Sequence, residues 1–328
     1  MKFSCVYIEE EVRTADRVGE ILERVKDTPL VTIERFGEVF NRKSQNFRLQ
    51  KANPALILAR KEGRRVLEAP PGYGFTSGPS FYFSHMLNCV YDCRYCFLQG
   101  MYRSSNYVLF CNYEEFSEDI LNSANCLNNP VFYSGYDCDS LALEPVSKFV
   151  DYFVRWFALH PGLTLELRTK STQVRDLLEI DSARNCVVAM SFTPQEIHQR
   201  WEHRVPSIEK RLDALVRLQR RGWPVALRFE PLIYMEGFQH DYEQLFHQVF
   251  SRLDADRLHS VSTGLFRMPK NFYRNIAAIY PDEELFSRQT TQQNGVVTQP
   301  EAREQELLDY VQKLLFRYLD KRKYYHCA

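Results

Sequence analysis

Between residues 81 and 266 the chain alternates six short runs dense in Val, Leu, Ile, Phe and Tyr with longer polar stretches of helical character. This alternation limits the fold more than any other feature. The runs cover 81–85, 130–134, 163–169, 186–192, 224–233 and 258–266, with helix-like stretches near 113–127, 144–159, 171–180, 207–221 and 241–254. Short apolar runs that alternate with helices argue for strands paired in parallel, with the helices packed outside the sheet. The stretch 207–221 shows the helical period directly: Ile208, Leu212, Leu215 and Leu218 share one face, and Gly222 closes it before Trp223-Pro224. Six such units fall two short of a closed eight-fold barrel.

The flanks are different. Residues 3–8 read as a strand, 15–25 as an amphipathic helix and 30–39 as an extended run, a small α/β segment over 1–68. The connector Ala69-Pro70-Pro71-Gly72-Tyr73-Gly74-Phe75-Thr76-Ser77-Gly78-Pro79 forbids regular structure and marks the clearest boundary. The main unit is expected over 81–268. The tail, 269–328, contains 289–298 with a central Asn294-Gly295, a favoured hairpin turn, and then an amphipathic helix from about 301 to 320.

Composition excludes several classes. With 45% apolar and 14% aromatic residues the chain is of ordinary globular type. Forty-two Lys and Arg balance forty-two Asp and Glu, which rules out a polybasic DNA-coating protein but leaves room for a local basic groove. No apolar run approaches the roughly 18 residues of a membrane span. The first residues, Met-Lys-Phe-Ser-Cys-Val-Tyr-Ile-Glu-Glu, show no apolar leader, so a cytoplasmic address without membrane attachment is expected. An odd count of nine cysteines fits that address as free thiols, not disulfides.

Three of the nine are clustered. In His85-Met86-Leu87-Asn88-Cys89-Val90-Tyr91-Asp92-Cys93-Arg94-Tyr95-Cys96 the thiols are spaced C-x3-C-x2-C on one loop, just after the first strand of the array. Thiolates suit zinc or an iron–sulfur cluster. His85 could complete a Cys3His zinc site, which would make the chain a noncatalytic zinc-binding protein. Against zinc stands the context, because loops at the C-terminal ends of strands are where large α/β arrays keep their active sites. A cubane cluster held by three cysteines would leave one iron open for a ligand.

The pattern C-x3-C-x-aromatic-C followed by βα units resembles the radical S-adenosylmethionine superfamily. More narrowly, Cys93-Arg94-Tyr95-Cys96-Phe97-Leu98-Gln99 resembles the cluster loop of the spore photoproduct lyase branch. Further matches are Lys43-Ser44-Gln45-Asn46, Arg168-Thr169-Lys170, Met190-Ser191-Phe192, Lys210-Arg211-Leu212 and Glu236-Gly237-Phe238. The resemblance runs from about residue 3 to 267. It implies an open (βα)6 partial TIM barrel of the radical SAM type, with the cluster at its C-terminal mouth, a small N-terminal α/β segment before it and a C-terminal cap after it. Cys89, Cys93 and Cys96 would ligate a [4Fe–4S] cluster whose open iron binds S-adenosylmethionine. An electron donor such as flavodoxin or ferredoxin would trigger formation of a 5′-deoxyadenosyl radical. The partner implied is DNA carrying a pyrimidine photoproduct, and the reaction is carbon–carbon cleavage that restores two thymines.

The same resemblance assigns further residues. Lys170 would hold the cofactor carboxylate, where the plain alternative is a solvated lysine. Ser191 would donate to the cofactor, or else be a core serine bonded to a carbonyl. Ser134 and Gly135 would meet the methionine moiety through the backbone, or form an ordinary turn. In the lyase a cysteine after the second strand returns a hydrogen atom to the product radical. Aligning Asp139 puts Tyr136 at that position and Cys138 two residues beyond it, so Cys138 is either a displaced donor or a buried core thiol. Tyr95 matches one of two lyase tyrosines that flank the third cysteine, while Phe97 lacks the hydroxyl of the other. The hairpin Gln289-Thr290-Thr291-Gln292-Gln293-Asn294-Gly295 lacks an aromatic wedge, and the basic residues Arg267, Lys270 and Arg274 and the triplet Lys321-Arg322-Lys323 permit DNA affinity without demonstrating it. Phe97, the displaced thiol and this hairpin favour a second reading, an enzyme of the same branch with a different substrate.

Overall fold

A run such as Cys186-Val-Val-Ala-Met-Ser has no polar face to offer water, so it is stable only inside a sheet covered on both sides. A computed structural model describes residues 2–76 and 78–327 of the chain. In it that run is a fully buried central strand.

Two sheets carry the molecule. The smaller has the order β2-β1-β3-β8-β6, from β1 (Val6–Glu9), β2 (Leu30–Ile33), β3 (Leu56–Ala59), β6 (Met86–Leu87) and β8 (Tyr107–Phe110). The larger has the order β18-β14-β13-β11-β10-β9-β5-β4. Its members are β4 (Val66–Glu68), β5 (Ser80–Phe83), β9 (Val131–Tyr133), β10 (Thr164–Thr169), β11 (Cys186–Ser191), β13 (Val225–Leu232), β14 (Leu258–Leu265) and β18 (Tyr324–His326). All six expected strands are present, and they pair in parallel from β5 to β14. The result is an open, curled partial barrel: the parallel array that the alternation predicts, in the architecture that the resemblance implies.

The boundaries at residues 68 and 269 are less clean than the sequence suggests. β6 and β8 lie C-terminal to the connector yet join the N-terminal strands, while β4 lies N-terminal to it and pairs antiparallel with β5. Segment 1–68 is therefore not closed by itself. Likewise the tail does more than cap, since β18 extends the large sheet in parallel with β14. The expected helix over 144–159 is broken into Glu144–Ser147, Val150–Val154 and Arg155–Ala158, because Lys148 takes a left-handed φ of 51° that closes the first turn.

Helix Ile208–Arg220 shows how local sequence fixes an outer element. The Ser207 hydroxyl caps it by accepting from the Lys210 amide, and Gly222 leaves it at a φ of 85°. Leu212, Leu215 and Leu218 are wholly buried against the sheet, each contributing about 2 kcal/mol.

The barrel interior is polar. Along β10, Leu165 and Leu167 face the helices, so Glu166 and Arg168 point inward. The wholly buried Glu166 pairs with Arg228 of β13 at 2.8 Å and with Arg168 at 3.0 Å. Arg168 also reaches Glu230 at 3.0 Å. Burial would raise the Glu166 carboxyl, but the two guanidinium groups hold it well below the usual range.

Candidate functional site

The three clustered cysteines sit on a loop anchored from four sides. After β5 the chain leaves the large sheet and β6 pairs with β8 of the small one. Asn88 then takes a φ of 67°, and its amide donates to the carbonyls of Ser104 (2.8 Å) and Asn106 (2.7 Å). From the short helix Phe47–Ala52, the Lys51 ammonium donates to the carbonyls of Cys89 (2.7 Å) and Tyr91 (2.8 Å). Next, β7 (Asp92–Cys93) pairs antiparallel with β12 (Glu202–His203), which sets Cys93 opposite Glu202. Finally the helix Leu98–Met101 docks on Lys270–Ile279, with Asn275 donating to the Gly100 carbonyl at 2.9 Å. A side chain at Gly100 would meet the Phe272 carbonyl at 2.4 Å, so this docking demands glycine.

Cys89, Cys93 and Cys96 all line one cavity of about 590 Å³ at the C-terminal ends of the barrel strands. All three are free thiols, and burial raises each of them, Cys89 to about 12. Lys170 opposes that rise at Cys93 and Cys96, and Lys51 opposes it at Cys89 and Cys96. Two ammonium groups thus flank the thiols, an arrangement suited to a group that needs them as thiolates.

The donor set, three thiols on one cavity wall, fits an iron–sulfur cluster. Among the described residues no three His, Cys, Asp or Glu side chains converge on a single ion position. A cubane makes no such demand, because each thiolate binds a different iron. His85, the proposed fourth zinc ligand, is buried with its ring 4.2 Å from that of Phe149. Burial lowers it to about 3, so it is a neutral core residue and contributes nothing to the cavity wall.

The other candidates separate into those on the cavity and those beside it. Lys170 follows β10 and lines the cavity, with Nζ 3.9 Å from Glu202 Oε1 and 5.6 Å from the centre of the Tyr95 ring. It is therefore not a freely solvated lysine. Ser191 ends β11 on the wall, and its hydroxyl has no protein partner among the described residues, while its carbonyl accepts from Arg211 at 2.7 Å. Gly135 also lines the cavity. A Cβ there would lie 2.7 Å from the Arg168 carbonyl and 2.8 Å from Ser140 Oγ, so only glycine lets this turn pack on β10. Ser134 turns away, its hydroxyl 2.9 Å from Ser140 and 3.2 Å from the Glu166 carbonyl.

Cys138 is 4% exposed and still reaches the cavity wall, its Sγ 3.7 Å from the Ser134 carbonyl. Burial pushes the thiol far up, so it stays protonated. Phe97 and Tyr136 are also on the wall, with ring centres 5.8 Å apart. Tyr95 lines the cavity too, but its hydroxyl donates to Glu202.

Sequence reasoning missed that carboxylate. Glu202 is buried and accepts from Tyr95, Thr193 (2.9 Å), His198 (2.9 Å) and Arg211 (2.8 Å). Burial opposes its ionisation, yet Arg211, His198, Lys170 and Tyr95 together hold it far below the usual range. Asp139 plays a similar local part: its carboxylate accepts from the amides of Leu141, Ala142 and Lys170 and from Thr169, tying the 134–142 turn to the end of β10.

The tail hairpin forms as expected. β16 (Thr291–Gln293) and β17 (Val296–Thr298) flank Asn294-Gly295 at φ of 49° and 78°, and β15 (Arg267–Pro269) completes a three-stranded sheet at the cavity rim. Arg288 takes no part, since it donates to the Tyr234 carbonyl and pairs with Glu284. In the turn Lys321–Lys323, Lys321 and Arg322 are exposed and Arg322 pairs with Asp320, while Lys323 donates to the carbonyls of Asp256 and Leu258 and is held against the fold. No helix among the described residues is long and apolar enough to cross a membrane.

Comparison with known proteins agrees with this geometry. Spore photoproduct lyase of Bacillus subtilis (strain 168) is 23% identical over 202 residues, which are 60% of this chain and 59% of that protein. The Clostridium acetobutylicum spore photoproduct lyase is 20% identical over 203 residues, with the same shares. The chain thus spans about six-tenths of the length of these relatives. A substituted spore photoproduct lyase solved with bound AdoMet and dinucleoside spore photoproduct superposes with a TM-score of 0.86 at 16% identity, covering 99% of this chain and 98% of that one. Another, complexed with dinucleoside spore photoproduct, gives 0.84 at the same identity and coverage. These likenesses establish a shared fold. The sequence family described as spore photoproduct lyase matches residues 75–298, more than half of the chain and all of the cavity-lining strands from β5 to β14, and the chain belongs to that family.

Proposed function

We propose that the chain is a radical S-adenosylmethionine enzyme that holds a [4Fe–4S] cluster on Cys89, Cys93 and Cys96 and acts as a carbon–carbon lyase on a thymine photoproduct in DNA. One observation carries the reading: the three thiols share a single cavity with Lys170, Ser191, Gly135 and Cys138. When bound, the cluster and S-adenosylmethionine supply a 5′-deoxyadenosyl radical able to abstract hydrogen from the lesion. Relatives of the same fold solved with AdoMet and with dinucleoside spore photoproduct support both ligand classes.

The chain's own residues then have separable tasks. Lys170 offers an ammonium to the cofactor carboxylate, steadied by Glu202 behind it. Ser191 offers a hydroxyl free of protein partners among the described residues. Gly135, with Ser134 behind it, brings backbone close to the methionine moiety. Cys138 retains its S–H hydrogen at neutral pH, as a donor to a carbon radical must. Tyr95 has its O–H directed to Glu202, so its phenol hydrogen is held by a carboxylate. Arg267 on the cavity rim and the exposed Arg274 of helix Lys270–Ile279 are available to DNA phosphates, and a small electron-transfer protein such as flavodoxin or ferredoxin provides the electron.

Phe97 and Tyr136 on the wall favour a second reading, an enzyme of the same branch whose substrate is not this lesion. The test uses anaerobically reconstituted chain, dithionite, S-adenosylmethionine and the spore-photoproduct dinucleotide, followed by chromatography. Restored thymidylyl-thymidine supports the lyase. Production of 5′-deoxyadenosine without repair rejects that substrate and leaves the second reading.

A further inference from the structure

Lys51 is the most deeply buried lysine among the described residues, at 4% exposure. It lies behind the cysteine loop and not on the cavity wall, so it is not available to a cofactor or substrate. Two of its three donors are spent on the carbonyls of Cys89 and Tyr91, which accept hydrogen bonds but carry no charge. The nearby carboxylate, Asp92, is already engaged, paired with Arg94 at 2.5 Å. A second cation, Arg204, donates to the Lys51 carbonyl at 2.6 Å and adds positive charge to the same region. A buried cation without a counter-ion is strongly disfavoured in a low-dielectric interior. The anionic groups that would balance it are the thiolates of the loop it grips.

We infer that Lys51 is a positioning residue for the iron–sulfur cluster, clamping the Cys89–Tyr91 backbone from behind and supplying the fixed positive charge that offsets the cluster's thiolates. The inference rests on the reading of Cys89, Cys93 and Cys96 as cluster ligands. Reduction adds one more negative charge to a core already held by three thiolates, so a fixed ammonium favours the reduced state and raises the potential. Lys170 differs in kind, because it lies on the cavity wall where a bound carboxylate would engage it.

The test compares the reconstituted parent chain with Lys51→Met and Lys51→Gln, and with Cys93→Ala as the ligand control. Iron and sulfide content, the visible spectrum and an EPR-monitored redox titration are read on each, without substrate. Lys51→Met is expected to keep fewer irons per chain and to titrate at a more negative potential than the parent. Full iron with the parent's potential would overturn the inference. Should Lys51→Met not fold, Lys51→Gln decides, because its carboxamide donates to the carbonyls without charge. Full iron with a lowered potential then supports the role, and an unchanged potential refutes it. If the parent and Cys93→Ala bind the same iron with the same spectrum, the ligand assignment has failed, not the role of Lys51 alone.

Discussion

Replacing Glu202 with Gln removes a charge while leaving the side chain's shape, and the structure fixes what this should do. Glu202 and Arg211 are both wholly buried, 2.8 Å apart. The variant leaves the Arg211 guanidinium as a buried cation with no carboxylate, and breaking such a pair costs about 3–5 kcal/mol. Unfolding entropy near the midpoint is about 2.1 cal/mol/K per residue, or about 0.7 kcal/mol/K for 328 residues. The loss therefore converts to a fall in Tm of about 4–7 °C, read by differential scanning calorimetry on the cofactor-free chain. Lys170 loses its nearby carboxylate as well, so affinity for S-adenosylmethionine should change in the same variant. In the double variant Glu202→Leu with Arg211→Met, removal of both charges should recover a large part of the stability. A Glu202→Gln chain that melts within a degree of the parent would refute the claim that this carboxylate neutralises a buried guanidinium.

Other expectations follow from the same geometry. Gly135→Ala forces a Cβ to 2.7 Å from the Arg168 carbonyl, and should lower stability by about 1–3 kcal/mol in chemical denaturation. Cys138→Ala should leave S-adenosylmethionine cleavage intact but misdirect quenching of the product radical; an unchanged product distribution removes Cys138 from the chemistry. Glu166 and Glu202 both ionise far more readily in the folded chain than an unfolded carboxyl does. Their contribution is therefore complete above the unfolded carboxylate value of about 4.3 and drains away as the pH falls below it. Acid titration of Tm should show this decline in the parent, and a weaker one in Glu202→Gln.

The six barrel strands were legible because a buried parallel strand needs an uninterrupted apolar run, and few other elements produce one. Helix Ile208–Arg220 was legible for a similar reason, since its period and both its ends are written in side chains. The loop anchors were not. Glu202 and Cys93 meet through two-residue strands, too short for any periodicity, and Lys51 looks in sequence like one more charged residue on a polar helix. Its burial depends on where a loop some forty residues later comes to rest. Strand pairing crosses the boundary near residue 68, because prolines and glycines mark irregular backbone whereas pairing disregards chain order. The same holds for Cys138: its position on the wall follows from the way Asp139 ties its turn to β10, a tertiary fact.

The most direct test of the account is to reconstitute the chain anaerobically with iron and sulfide, add dithionite and S-adenosylmethionine, and measure 5′-deoxyadenosine in parallel with Cys93→Ala. The account predicts a brown protein that forms 5′-deoxyadenosine, and a Cys93→Ala chain that forms none. A Cys93→Ala chain with the parent's visible spectrum and the parent's yield of 5′-deoxyadenosine would contradict it.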